Sequence, residues 1–465
     1  MRLWLRVLLV LGMTLAILVP LTMIRGTIHE RQTYRAQAVA DIARSYAGAQ
    51  AFAGPVLVVP YTETVEAEEI DKSNVVRKVT RERSLHWTYF PTTLDVRGPL
   101  APSTRKRGLH AVRVYEWQAR ATARFDAAIP DDAAAGSTRR IGQPWLSYGF
   151  ADVRGLLATP RLRVNGVAAN VAEGLGSRDG AGLHGRLAAP LAGQALALNT
   201  TLDFTLGGTE SLAMVPLGKV NTFAIRSSWR HPRFGGSFLP RVREVGSAGF
   251  DASWQVASVA TSAQRQYLQG RLLPTMNAAG GQGGRDDGDV IGAAGIEAVG
   301  LSLVDPVNIY SQADRASKYG LLFVLLTFVG FFGFELIKQL PIHPIQYGLV
   351  GLSLAIFFLL LVSLSEHTEF VWSYLIASAA CIGLIGFYVS AVLRSAARGI
   401  GFAAMLATLY GALYGLLVSE DNALVMGAGL LFLVLAAIMV VTRRVDWYQI
   451  AGTRPPLSPL PRGQG

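Results

Sequence analysis

Trp229, Arg230, His231 and Phe234 stand close together in the segment 227–240, which reads Ser-Ser-Trp-Arg-His-Pro-Arg-Phe-Gly-Gly-Ser-Phe-Leu-Pro. Tryptophan, arginine and phenylalanine are enriched at recognition surfaces, and a guanidinium pairs well with phosphate oxygens. Such a loop suits a glycan, a lipid head group or a partner protein. The plainer alternative is a strand-to-loop transition pinned by its prolines and glycines, with the aromatic rings tucked into a core. A second pair, Glu366-His367, sets a carboxylate beside an imidazole. A neighbouring carboxylate favours the charged imidazole, which makes the pair a candidate proton-sensitive group; a wetted helix end is the alternative.

Residues for bond-making chemistry are scarce. The histidines are His29, His86, His110, His184, His231, His343 and His367, and none lies three or four residues from another histidine or from a cysteine. No local zinc signature exists. There is no Gly-x-Ser-x-Gly elbow, and the single cysteine, Cys381, sits inside an apolar run, so no nucleophile with a base is visible. Gly174, Gly176 and Gly180 loosely resemble a nucleotide loop, but the spacing is wrong and Lys-Ser/Thr is missing, which leaves a plain turn. Asp286-Asp287-Gly288-Asp289, in the Gly-rich stretch 278–295, lacks the acid order of an EF-hand and reads as a solvated loop. No cofactor and no metal site is implied, and the chain is expected not to be an enzyme.

The elements that carry these residues are set by hydropathy. Five apolar runs fill the last third of the chain, at 319–336, 347–364, 371–392, 402–418 and 423–441. Each is about 17–22 residues, enough to cross a bilayer core as a helix. The short gaps alternate in charge. Lys338, Arg394 and Arg398 and the tail with Arg443, Arg444 and Arg454 are basic, whereas Glu366, Glu369, Glu420 and Asp421 are acidic. Basic short loops stay in the cytoplasm, so the acidic loops face out and the tail faces in. Ionisable groups inside spans flag transport; Glu335 and Arg394 lie only at or beyond span ends, where snorkelling is cheap. Gly411 and Gly415, with Gly427 and Gly429 in the next run, are small residues that let helices approach closely in lipid, within a bundle or between two copies.

A sixth run, 7–24, follows Arg2 and Arg6 and is not followed by an Ala-x-Ala site, so an uncleaved signal anchor is expected. With its start inside, it puts Arg25 outside, in agreement with the C-terminal charges. The segment 26–317 is then extracytoplasmic. It has no cysteine and relies on its own core. The net charge of +11 fits topology and attraction to anionic head groups; nucleic acid is not an expected partner.

Within that segment, 27–50 predicts a short helix leaving the membrane. Val56 to Val59 is a β-branched run ended by Pro60. The stretches 85–90, 109–125, 223–229 and 250–259 read as strands, and Leu202, Phe204 and Leu206 alternate with Thr201, Asp203 and Thr205. Many short strands predict a mostly-β, sandwich-like domain, with two β subdomains meeting near Pro190 as an option. The stretch 131–140 reads as loose.

Four pieces together resemble the CreD family of Gram-negative inner-membrane proteins: Trp229, His231-Pro232, Phe234 and Phe238-Leu239-Pro240; Asp314 to Tyr319 running into Phe331-Phe332-Gly333-Phe334-Glu335; His343-Pro344-Ile345-Gln346-Tyr347 to Ser353 and on through Leu364-Ser365-Glu366-His367; and Val445-Asp446-Trp447-Tyr448. They follow the family order over nearly the whole chain; the 278–295 stretch looks longer than the family pattern. The resemblance implies one anchor, a large periplasmic domain and a C-terminal helical bundle. It also implies association with a CreBC-type two-component system and a role in envelope integrity, and it supplies no catalytic residues.

The expected organisation is therefore an anchor over 1–25, a mostly-β periplasmic domain over 26–317, a bundle of five transmembrane helices over 318–442 and a basic cytoplasmic tail over 443–465. The expected function is a non-enzymatic binding or sensing role in the envelope, carried by Trp229, Arg230, His231 and Phe234 outside and by Glu366 and His367 at the membrane surface. The expected partners are the lipid bilayer and an envelope component or membrane protein. The alternatives are a transporter or lipid-handling channel through the bundle, which would need a polar, water-filled cavity, and a periplasmic hydrolase, which would need a deep pocket with a histidine beside a carboxylate.

Overall fold

The computed structural model describes residues 3–70, 76–108, 110–133, 137–176, 180–275, 295–303, 316, 319–320, 322–332, 343–418 and 423–443. The Gly-rich stretch 278–294, Asp314-Arg315, Glu335, Lys338, Glu420-Asp421 and the tail after residue 443 lie outside the described residues. The chain divides into two compact units, 1–34 with 307–465 and 35–306.

α1 (Leu3–Ser45) is one uninterrupted helix, not an anchor followed by a separate short helix. Ala36, Ala38, Ala40 and Ala43, interspersed with glutamine and arginine, are strong helix formers, and Gly26 alone does not stop them. Arg154 donates to the carbonyls of Arg44 at 2.7 Å and Ala43 at 3.5 Å and so satisfies the last turn.

The β unit comprises two sheets. The first takes β1 (Gln50–Ile70), β2 (Val76–Tyr89), β5 (Ser137–Ile141), β6 (Trp145–Phe150), β9 (Val171–Glu173), β10 (Gly182–Arg186), β12 (Ser211–Val215), β14 (Arg233–Gly236) and β17 (Val299–Ser302). Its order is β14-β17-β12-β1-β6-β10-β9, with β2 and β5 also paired to β1. The second runs β15-β16-β13-β3-β4-β11-β7-β8, from β3 (Thr93–Arg107), β4 (His110–Ala128), β7 (Arg161–Val164), β8 (Val167–Ala169), β11 (Ala195–Thr209), β13 (Val220–Ser227), β15 (Val242–Gly246) and β16 (Gly249–Ala257).

The inner faces meet in one core. On β4, Trp117, Ala119, Ala121, Ala123, Phe125 and Ala127 point inward while Gln118, Arg120, Arg124 and Asp126 point outward, the period-2 pattern of a half-buried strand. Phe52 of the first sheet stacks on Phe204 of the second at 5.1 Å and meets Trp117 edge-on at 6.4 Å. β4 and β11 pair along the whole of β11, from Ala195 opposite Ala128 to Thr209 opposite Val114. No subdomain boundary therefore falls at Pro190.

Pro60 does not end a strand. β1 pairs with β6 as far as Val58 and with β5 from Tyr61, so the missing N–H of Pro60 falls in the gap between two partners. Its carbonyl still accepts from Gly142 at 2.8 Å.

A short helix, α2 (Ala263–Leu268), follows β16 in the β unit; in the other unit, α3 (Leu322–Phe332), α4 (Pro344–Ser365), α5 (Phe370–Val392), α6 (Ala396–Val418) and α7 (Ala423–Thr442) follow one another. α1, α4, α5 and α6 are long and apolar enough to cross a membrane; the first predicted C-terminal span is described as a helix only over its shorter α3 part. α4 begins where the sequence His343-Pro344-Ile345-Gln346 forms a capping box: His343 accepts from the N–H of Ile345 at 3.3 Å, and Gln346 accepts from the N–H of His343 at 3.0 Å. Gly351 lets α1 come close, since a Cβ there would lie 2.7 Å from Ile17. The small residues Gly415 and Gly427 serve packing of α6 on α7, where a Cβ on Gly415 would lie 3.0 Å from Met426.

Candidate functional site

β13 ends at Ser227, two residues before Trp229. The indole N–H donates to the carbonyl of His231 at 2.8 Å, and the backbone N–H donates to Ser227 Oγ at 3.2 Å. The His231 ring meets the indole edge-on at 6.1 Å. The Arg113 guanidinium, from β4, lies 4.6 Å over the same ring. Trp229 is thus a half-buried platform held on several sides, while Arg230 and His231 are exposed.

Phe234 belongs elsewhere. It sits on β14, edge-on to Phe250 at 5.7 Å and Trp254 at 5.8 Å, and packs on the core. Of the four predicted outer residues, the structure brings together Trp229, Arg230 and His231 at the surface and uses Phe234 to fasten the loop behind them.

Glu210 completes this corner, and nothing in the sequence pointed to it. It links β11 to β12 with φ at +60°, a left-handed conformation uncommon outside glycine. Its N–H donates to the carbonyl of Arg113 at 3.0 Å, and its carbonyl accepts from Leu303 N–H at 2.8 Å. Its carboxylate pairs with Arg35 of α1 at 3.0 Å. Arg233 lies opposite Ser302, which lies opposite Ser211. Glu210 therefore ties α1 to this corner through Arg35, and its backbone meets that of Arg113, whose guanidinium covers Trp229.

A second polar knot fastens the end of α1. Gln50 and Asp152 exchange backbone and amide hydrogen bonds at 2.9 and 3.2 Å, and Gly48 N–H donates to Asp152 Oδ2 at 3.2 Å. The Arg154 guanidinium donates to both oxygens of Asp152 at 2.9 and 2.6 Å and holds its carboxyl below the usual carboxylate range.

In the membrane unit, Glu366 and His367 follow the end of α4. The Glu366 carboxylate, nearly buried, pairs with Arg31 of α1 at 3.5 Å. His367 is exposed. Among the described residues no three His, Cys, Asp or Glu side chains converge as metal ligands. The geometry at Trp229 offers an aromatic face and guanidinium donors, which is the chemistry of recognition.

The sequence profile of the family described as "Inner membrane protein CreD" matches residues 2–448. The chain belongs to the CreD family. Inner membrane protein CreD of Escherichia coli (strain K12) is 35% identical over 439 residues, which cover 94% of this chain and 92% of the relative. With four span-length helices among the described residues, this CreD-family chain is a multi-pass inner-membrane protein. Among solved structures, an M1 zinc metallopeptidase from Deinococcus radiodurans aligns over 36% of this chain and 38% of its own at 8% identity and a TM-score of 0.18. A likeness at that level carries neither fold nor activity.

Proposed function

We propose that this CreD-family protein supports the integrity of the cell envelope by non-enzymatic binding or sensing through its β unit, within a CreBC-type regulon. The β unit faces the periplasm, both termini face the cytoplasm, and five C-terminal spans together with the α1 anchor hold it there. Basic Arg394 and Arg398 against acidic Glu366 and Glu369 support that orientation. Its partners are the bilayer and an envelope component or membrane protein, and not nucleic acid. The observation that carries the proposal is Trp229 held between Arg113 and His231, with Arg230 exposed beside it.

The rings of Phe328, Phe331, Phe357, Tyr374 and Tyr410 fill the centre of the membrane unit. A packed aromatic core supports anchoring over transport. The test is photo-crosslinking in cells from a photoreactive residue at position 230, read by mass spectrometry. A discrete adduct that disappears in the Trp229→Ala background is expected; an adduct pattern equal to that of a position on the far face of β4, such as 124, would sink the assignment.

A further inference from the structure

The last turn of α1 and the hairpin between β3 and β4 enclose an open cleft of about 710 Å³. Arg44, Arg105, Lys106 and Arg107 line it, against a single lining carboxylate, Asp41. That carboxylate is already shared, because Arg44 bonds one oxygen and Arg107 lies 3.6 Å from the other. Lys106 has no ion-pair partner among the described residues, and Arg105 lies 4.7 Å over the ring of Tyr46. Like charges gathered on one concave wall repel one another, so an arrangement of this kind is stabilised by an anion.

The walls are preformed. Ile42 packs on Val112 and Val114 of β4, with Val39 and Tyr46 beside them. The Tyr46 hydroxyl donates to the carbonyl of Tyr115 at 3.4 Å. The carbonyl end of a helix repels anions, but here Arg154 already covers the carbonyls of Arg44 and Ala43.

We infer that this cleft binds a phosphate-bearing ligand. Guanidinium forks match phosphate oxygens bidentately, and four cations against the shared Asp41 and against Glu116 beside Tyr46 leave an excess that suits a group of about two negative charges better than a single carboxylate. The site lies apart from the Trp229 surface and does not depend on it.

The experiment uses the full chain in phosphatidylcholine nanodiscs at low salt, titrated calorimetrically with glycerol 3-phosphate. Saturable binding is expected. It weakens at least about tenfold in the triple variant Arg105→Gln/Lys106→Gln/Arg107→Gln and measurably in Lys106→Glu alone, while Arg120→Gln, further along β4 where Arg120 pairs with Asp203, binds as the parent does. Displacement of the probe by phosphatidic acid added to the nanodisc assigns the phosphate to a lipid head group; undiminished binding assigns it to a soluble ligand. Absence of saturable binding, equal binding by the triple variant, or equally tight binding of succinate would overturn the inference.

Discussion

Arg35 and Glu210 meet at 3.0 Å although 175 residues separate them. The carboxylate is almost buried, with 7% of its side chain exposed, and the guanidinium is 23% exposed. Because the same Glu210 accepts from Leu303 through its carbonyl, a single residue fastens both the incoming helix and the outgoing strand. A pair of this kind is costly to break from one side, since the remaining charge stays in a poorly solvated place.

Arg35→Gln and Glu210→Gln are each expected to destabilise the β unit by about 2 kcal/mol, below the range for fully buried pairs because Arg35 keeps some solvent contact. The double variant loses less than the sum, with a coupling of about 1 kcal/mol. Denaturant unfolding of the intact chain, followed by the fluorescence of buried Trp117 and Trp254, reads both numbers. Strict additivity would show that the two side chains do not act together.

Asp152 gives a pH signature. Its folded-state pKa is lowered by the hydrogen bonds from Arg154, so its stabilising contribution is complete above the unfolded carboxylate value of about 3.9 and is lost as pH falls through the lower folded value. Asp152→Asn removes that contribution. The melting temperature of the parent should exceed that of the variant at pH 6, and the gap should close progressively below pH 4. A gap that stays constant down to pH 2 would refute the linkage.

Much of this architecture could be read from residue order. The alternation of Leu202, Phe204 and Leu206 with polar neighbours marks β11, and the apolar runs mark α4, α5 and α6, because one periodic or unbroken pattern suffices for each. Pro60 misled, since a proline inside a strand is harmless only where partners change, and partners are set by strands far along the chain. The packing of Phe234 could not be read locally either: its neighbours Phe250 and Trp254 lie on β16, and local sequence does not say which face of β14 meets them. Glu210 left no local signal, because its role comes from Arg35, Arg113 and Leu303, three residues brought to it by tertiary structure. The basic triplet Arg105-Lys106-Arg107 was visible, but the α1 wall that makes it concave was not.

Gly98 tests the close approach of β3 to β4. A Cβ at this position would lie 1.9 Å from the Gln118 carbonyl oxygen, a backbone atom that cannot withdraw without parting the two strands. Gly98→Ala is expected to destabilise the β unit by at least about 3 kcal/mol. Gly108→Ala, at a turn with φ of +59° and open space around it, costs only about 1 kcal/mol of backbone strain. Limited trypsin digestion of membranes checks the contrast: rapid loss of the β unit in the first variant and a near-parental pattern in the second.

The two candidate surfaces lie in different units, which lets one comparison weigh binding against transport. Trp229→Ala removes the ring under Arg113 but little core, so it should lower stability by only about 1 kcal/mol. Arg230→Gln and His231→Gln change exposed groups and should leave abundance and melting unchanged. If the β unit acts by binding, all three impair complementation of an envelope-sensitivity phenotype in a deletion strain. Glu366→Gln weakens the pair between a nearly buried carboxylate and Arg31, which is 39% exposed, and then complements fully, because solvent at Arg31 holds the loss to about 1 kcal/mol and the protein stays folded. If instead the membrane helices carry the activity and Glu366 gates it, the order reverses: Glu366→Gln fails at normal abundance, while the Trp229, Arg230 and His231 variants complement. Membrane abundance by immunoblot, measured beside growth, separates either outcome from loss of folded protein.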